Sequence, residues 1–109
     1  MLNKGLPVEL RGLKTCDSCR KAMKALEAAG YDAVLRDIRA DPMDAGELAR
    51  AWDALGPALL NTRSTTWRGL SEAERQRDPK DLIAAHPSLM KRPVLAQGET
   101  LILGLPKEL

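Results

Sequence analysis

The chain holds two cysteines, and they stand three residues apart in Thr15-Cys16-Asp17-Ser18-Cys19-Arg20-Lys21. Two thiols so spaced can close a disulfide on each other, or exchange one with a substrate, if the backbone sets the right separation. The start of a helix does this, because residues i and i+3 are neighbours on its surface. It also places the first thiol where unpaired N–H groups and the helix dipole favour a thiolate. Only the thiolate attacks, so Cys16 is the expected nucleophile and Cys19 the expected resolving thiol. The bland alternatives are a pair of small buried side chains and a zinc site. Structural zinc needs four ligands, and beyond this pair the chain offers only His86, so no metal is expected.

The elements around the pair fit that role. Val8 to Leu13 reads as a strand, and Gly12 within it would let the backbone bend toward the loop that follows. Asp17, Ser18 or Cys16 itself can cap the next helix. Cys19, Ala22, Met23, Leu26 and Ala29 recur at helical spacing and should face the core, with Arg20, Lys21, Lys24 and Glu27 on the other side. Gly30 ends the helix. A second strand over Asp32 to Ile38 completes a βαβ unit with parallel strands, and a Cys-x-x-Cys at its first turn reads as a thioredoxin-like redox motif.

The middle of the chain reads as helical. Asp44 with Glu47, and Ser71 with Glu74, form capping boxes, the second starting a short charged helix to about Arg77, and Asp78-Pro79 opens a further helix with proline in its first position. The apolar stripes are Leu48, Ala51, Trp52 and Leu55, and then Leu82, Ile83 and Ala85. Between them lie a buried turn at Ala58-Leu59-Leu60 and a polar loop, Asn61 to Arg68, in which Trp67 is expected to anchor the loop by burial. Val94 to Ala96 and Thr100 to Leu103 form an antiparallel hairpin, and Gly104 to Leu109 reads as the beginning of a last helix. The order is β-α-β, helical insert, β-β. The class is α/β: a single thioredoxin-like domain over residues 1–109, with a helical insert over about 42–87. Such folds place a cis-proline opposite the cysteine pair, and Pro93 is the candidate. Its role would be to present the backbone of residue 92 to a substrate disulfide or tripeptide.

Composition narrows the classes. Apolar residues make up 44% and charged residues 29%, which suits a folded, soluble domain. With no Phe, two Trp and one Tyr, the core must be mainly aliphatic. A net charge of +2 does not argue for nucleic acid. No apolar run approaches a membrane span, and the first seven residues lack a secretory apolar stretch. The cytoplasm is the expected compartment, where thiols rest reduced and a transient disulfide is more plausible than a structural one.

Three segments together resemble a known family. They are Gly12-Leu13-Lys14-Thr15-Cys16-Asp17-Ser18-Cys19-Arg20-Lys21-Ala22, then Leu59-Leu60-Asn61-Thr62-Arg63-Ser64-Thr65-Thr66-Trp67-Arg68, then His86-Pro87 with Lys91-Arg92-Pro93-Val94-Leu95. In this order, over nearly the whole chain, they resemble the arsenate-reductase-related (ArsC/Spx) family, and the middle segment is similar to its YffB-like branch. The resemblance implies a thioredoxin-like core with a helical insert. Family members that reduce arsenate use one cysteine at the position of Cys16, assisted by three arginines. Arg92 matches the arginine before the proline. The one expected after the leucine pair falls at Asn61, with Arg63 two residues on, and the last falls around Gly104 with no arginine nearby. Losing two fork-shaped donors should weaken the binding of a multiply charged anion, so arsenate is not the expected substrate. The YffB-like branch implies a glutathione-dependent thiol reductase, with glutathione as co-substrate and no bound cofactor. The candidate residues are then Cys16 and Cys19 for catalysis, and Arg92, Pro93, Arg63, Asn61 and Arg20 for a small thiol or oxyanion substrate. The Spx branch, which carries a Cys-x-x-Cys here, implies the alternative: a redox-sensing regulator that binds RNA polymerase.

Overall fold

A computed structural model describes residues 2–107 and 109. It divides into two compact units, one of residues 1–41 and 92–109, the other of residues 42–91.

The first unit is built on a four-stranded sheet. Strand β1 (Val8–Gly12) leads through a short loop into helix α1 (Asp17–Ala28), and the chain returns as β2 (Ala33–Asp37). The hairpin β3 (Val94–Gln97) and β4 (Thr100–Leu103) completes the sheet in the order β2-β1-β3-β4. β1 and β2 are parallel, while β1–β3 and β3–β4 are antiparallel, as the βαβ and hairpin patterns require. This is the thioredoxin-like sheet, in an α/β molecule. Strand alternation explains the burial: Val8, Leu10 and Gly12 are buried, while Glu9 and Arg11 on the opposite face are half-buried. Val8, Leu10 and Leu95 pack with Cys19, Ala22 and Leu26 of α1 into one aliphatic cluster. Each fully buried Val or Leu of that cluster contributes about 1.5–3 kcal/mol by leaving water. Met23 and Ala29 lie at its margin, half-buried, and Arg20, Lys21, Lys24 and Glu27 are exposed. Helix α1 stops at Gly30, whose φ of 91° suits the residue after the cap.

The second unit is helical. Its elements are α2 (Ala45–Leu55), a 3₁₀ turn (Gly56–Leu59), α3 (Thr65–Arg68), α4 (Glu72–Arg75), α5 (Pro79–Ala85) and a second 3₁₀ turn (Pro87–Leu89). Both capping boxes form. Asp44 accepts from the Glu47 N–H at 2.8 Å while Glu47 accepts from that of Asp44 at 3.0 Å, and Ser71 and Glu74 exchange the same pair of bonds. Pro79 occupies the first turn of α5, where a missing N–H costs nothing. A bridge between Leu60 and Met90 ties together the segments that follow the two 3₁₀ turns, with Asn61 N–H donating to the Leu89 carbonyl at 2.7 Å.

Four details depart from the sequence reading. The polar loop after Asn61 contains a helical turn, α3, because the Ser64 hydroxyl accepts from the Trp67 N–H at 3.1 Å and caps it. The charged helix after Ser71 ends at Arg75 rather than Arg77. Ala85 is exposed, so the buried side of α5 is Leu82 and Ile83 alone. No helix forms among the described residues after Gly104, and Glu108 of that segment lies outside them. Gly104 instead donates its N–H to the Pro93 carbonyl at 2.8 Å, with a φ of 78° that turns the chain out of β4. Among the described residues no helix is long and apolar enough to cross a membrane.

Candidate functional site

Cys16 is the N-cap of α1. Its backbone is extended (φ −85°, ψ 122°), its carbonyl accepts the Arg20 N–H at 3.0 Å, and its own N–H closes a turn onto the Leu13 carbonyl at 3.0 Å. Its side chain forms no cap hydrogen bond, unlike the Asp and Ser caps elsewhere in the chain. The sulphur is half-exposed and its charge is the site's concern. Burial pushes the Cys16 thiol up, but the Cys19 N–H facing it, the hydrogen bonds from Arg92 and from the Cys19 thiol, and the Arg92 charge outweigh that; the net shift is below the ordinary 9.0.

Cys19 is the opposite case. It is fully buried, and burial pushes its thiol up to about 11, with the neighbouring Cys16 adding to the rise; the Leu13 N–H and the Arg92 charge only partly offset it. One thiol is thus disposed to be a thiolate and its neighbour to hold its proton, which is the division a nucleophile and a later resolving group need. Both cysteines are free thiols.

Arg92 reaches Cys16 from the segment ahead of β3. It is half-buried, and the peptide joining it to Pro93 is cis, the isomer expected from the sequence. Pro93 is buried, and its carbonyl is taken by Gly104. The sheet order explains this meeting of residues distant in sequence. β3 pairs with β1 through Arg11 and Val94, so the segment before β3 and the loop after β1 emerge side by side. Cys16, Cys19 and Arg92 are therefore brought together by the first unit alone.

The other expected residues are placed differently. Arg20 is exposed on α1, and its guanidinium is ion-paired with the Asp17 carboxylate one turn back. Asn61 and Arg63 belong to the helical unit. There the Asn61 side chain accepts the Arg63 N–H at 3.1 Å and the Asn61 carbonyl accepts the Ser64 hydroxyl at 3.1 Å, an arrangement that closes the loop ahead of α3. The Arg63 carbonyl accepts from Arg68 at 2.8 Å, and the Arg63 side chain is exposed. Trp67 is only half-buried, and the Arg75 guanidinium lies 5.5 Å over its ring, so a cation–π contact adds to the burial expected to anchor the loop. Among the described residues no group of three or more His, Cys, Asp and Glu could hold a metal ion.

Two residues of the site were not singled out for it from the sequence. Asp37, at the end of β2, accepts the Arg39 N–H at 2.9 Å, the Ala40 N–H at 3.3 Å and the Lys14 N–H at 3.3 Å. These bonds, that from Arg39 foremost, hold its carboxyl below the ordinary 3.8, and the bond to Lys14 ties down the loop that delivers Cys16. An Asp after a strand is a common turn residue, and nothing local tells which loop it will hold. Gly12 is the second. Its φ is not positive, and the Cys19 sulphur lies against its Cα.

Comparison with known proteins places the chain. The ArsC family model matches residues 12–109, and the chain belongs to that family. A solved structure of a YffB protein superposes with a TM-score of 0.83 at 32% identity, covering 91% of each chain, which puts this protein in the YffB-like branch. An arsenate reductase-related protein from Brucella melitensis superposes at 0.76 with 34% identity, over 97% of this chain and 92% of the other. The global transcriptional regulator Spx of Bacillus subtilis is 30% identical over 96 residues, 83% of this chain and 73% of its own. At family level the chain is thus similar both to an arsenate reductase-related protein and to a transcriptional regulator.

Proposed function

We propose that the protein is a small thiol–disulfide reductase that uses glutathione as its electron donor. The observation that carries this reading is the pair of unequal thiols, with Cys16 held toward its thiolate by Arg92 and the start of α1 and Cys19 kept protonated behind it. Cys16 thiolate attacks one sulphur of a substrate disulfide, forming a mixed disulfide and releasing the other half as a thiolate, which takes up a proton. A thiolate of glutathione, or Cys19 after losing its proton to solvent, then attacks the mixed disulfide and releases the second half. In the first case glutathione remains on Cys16 and a second glutathione removes it as glutathione disulfide. In the second, two glutathiones reopen the Cys16–Cys19 disulfide, one through a mixed disulfide and the other as its acceptor. Either way two glutathiones are oxidised for each disulfide reduced. Arg92 orients an anionic group of the substrate, and the backbone ahead of Pro93 pairs with it. Asn61 and Arg63 are assigned the lesser role of shaping the loop, and Arg20 that of a basic surface near the site.

The test is turnover of a small disulfide with glutathione, coupled to NADPH oxidation by glutathione reductase. Cys16→Ser abolishes it; turnover retained in that variant would sink the mechanism. Cys19→Ser keeps partial turnover if glutathione resolves and loses it if Cys19 does. The similarity to Spx supports a second reading, a cytoplasmic redox-sensing regulator that binds RNA polymerase. A pull-down with the polymerase α subunit, reduced and oxidised, separates the two: redox-dependent capture without disulfide turnover favours the regulator.

A further inference from the structure

We propose that Gly12 is a positioning residue for the thiol pair: its missing side chain is the seat of the Cys19 sulphur, which it holds within reach of Cys16. The inference rests on the reading of Cys16 and Cys19 as a working pair. A Cβ built on Gly12 would fall well inside 3.0 Å of Cys19 Sγ, a separation that real Cβ atoms essentially never show. Its other neighbours are ordinary, with Cys19 Cβ at 3.4 Å and Leu10 Cδ2 at 3.5 Å. The conflict is thus with the sulphur and not with the backbone or the rest of the core. Gly12 is also not a conformational requirement, because its φ is not in the left-handed region, where Gly30, Gly56, Gly98 and Gly104 lie. An alanine fits the chain path there and displaces only the thiol.

Neither partner can yield cheaply. The end of β1 is pinned to β2: the Gly12 carbonyl accepts the Ile38 N–H at 2.9 Å, and Gly12 pairs with Asp37 across the parallel ladder. Cys19 is fully buried in the cluster of Val8, Leu10, Ala22, Leu26 and Leu95, where packing is dense. The freedom left is rotation about the Cys19 Cα–Cβ bond, and its staggered wells lie far apart. A side chain on residue 12 therefore swings the sulphur out of its place between the Leu13 N–H and Cys16. The hydrogen bond that the Cys19 thiol makes to Cys16 is lost with it.

The experiment is a double-mutant cycle of Gly12→Ala and Cys19→Ala, read by urea unfolding and by the pH midpoint of Cys16 alkylation, with closure of the internal disulfide timed in the two proteins that keep Cys19. For the closure measurement each protein is first loaded with one glutathione on Cys16. Loss of that adduct is then followed by intact mass, as Cys19 thiolate attacks Cys16 Sγ and expels glutathione thiolate. Gly12→Ala slows closure at least tenfold, moves the Cys16 midpoint up and lowers the urea midpoint. In the Cys19→Ala background the same change moves neither the urea midpoint nor the alkylation midpoint, because the atom it collides with is gone. Equal destabilisation in both backgrounds, or loss of folding in both, would overturn the proposal and make Gly12 a residue of strand–helix packing. An unchanged closure rate would overturn it too. If Gly12→Ala alone does not fold, a folded double variant still supports it. None of these readouts needs a substrate, so a protein that closes its disulfide rapidly yet turns over none would refute the reductase reading and leave the role of Gly12 standing.

Discussion

The raised pKa of Cys19 makes pH the sharpest perturbation of the site. A thiol at about 11 is thiolate in roughly one molecule in 10⁴ at pH 7 and roughly one in 10² at pH 9. Only the thiolate displaces a group from Cys16, so internal resolution should accelerate about tenfold per pH unit and about 100-fold over that interval. Cys16 itself contributes to the rise, and that contribution vanishes once Cys16 is tied up in a mixed disulfide. Burial is the larger cause and remains, so the slope persists to at least about pH 9. Capture of the first disulfide behaves differently, because the Cys16 thiol lies below the ordinary 9.0 and its rate flattens earlier. The assay is quenched flow with intact-mass detection, starting from the Cys16–glutathione adduct at a series of pH values. A resolution rate that levels off by about pH 8, or rises less than about tenfold between pH 7 and 9, would refute the argument that burial controls Cys19.

Further consequences are open to direct measurement. The same thiol links stability to alkaline pH. Its pKa is 9.0 when unfolded and about 11 when folded, so its contribution is intact below about pH 9 and is lost as the pH rises through 11, up to about 3 kcal/mol. Urea midpoints should fall between about pH 8.5 and 10.5 more steeply in the native protein than in Cys19→Ala; equal slopes would exclude the linkage. Arg92→Gln removes a hydrogen bond and a charge from Cys16, so the alkylation midpoint should move up toward 9.0 with a several-fold slower reaction at pH 7; an unmoved midpoint would show that the helix start alone holds the thiolate. Asp37→Asn removes a carboxylate whose pKa is depressed. Its contribution is present above the unfolded 3.8 and is lost as the pH falls through the lower folded value, so the gap in melting temperature between native protein and variant should be largest near neutrality and narrow as the pH is taken down below 3.8. A gap that stays constant across that range would mean the charge does not matter.

Much of this molecule is written in local signals. The two parallel strands, the helix between them and the terminal hairpin follow from periodicity and from glycine and proline punctuation. The capping boxes at Asp44 and Ser71 are three-residue patterns with three-residue causes. The expectation of Cys16 as the nucleophile needed only the knowledge that a helix begins there. Where the reading went astray, a nearby cap or a missing partner decided: Ser64 made one turn of helix in a segment read as loop, and Ala85 fell on the outer side of α5.

Meetings of distant groups are carried by no local pattern: that Arg92 lies opposite the cysteine pair was expected only through the fold and its cis-proline, and the pairing of strands supplies the reason. Arg92 stands beside Cys16 because β3 runs antiparallel to β1, and the pairing of Arg11 with Val94 aligns two loops far apart in sequence. Asp37 restrains the Cys16 loop because β2 ends next to β1. Gly12 shows the difference most plainly. As a letter it suggested a bend; in three dimensions it is the space a sulphur occupies. The sequence by itself determined the elements and the presence of a thiol pair, because these depend on neighbours within a few residues. The helix start already favoured a thiolate at Cys16; the burial that raises Cys19 and the arginine that reaches Cys16 from ahead of another strand are properties of the packed core.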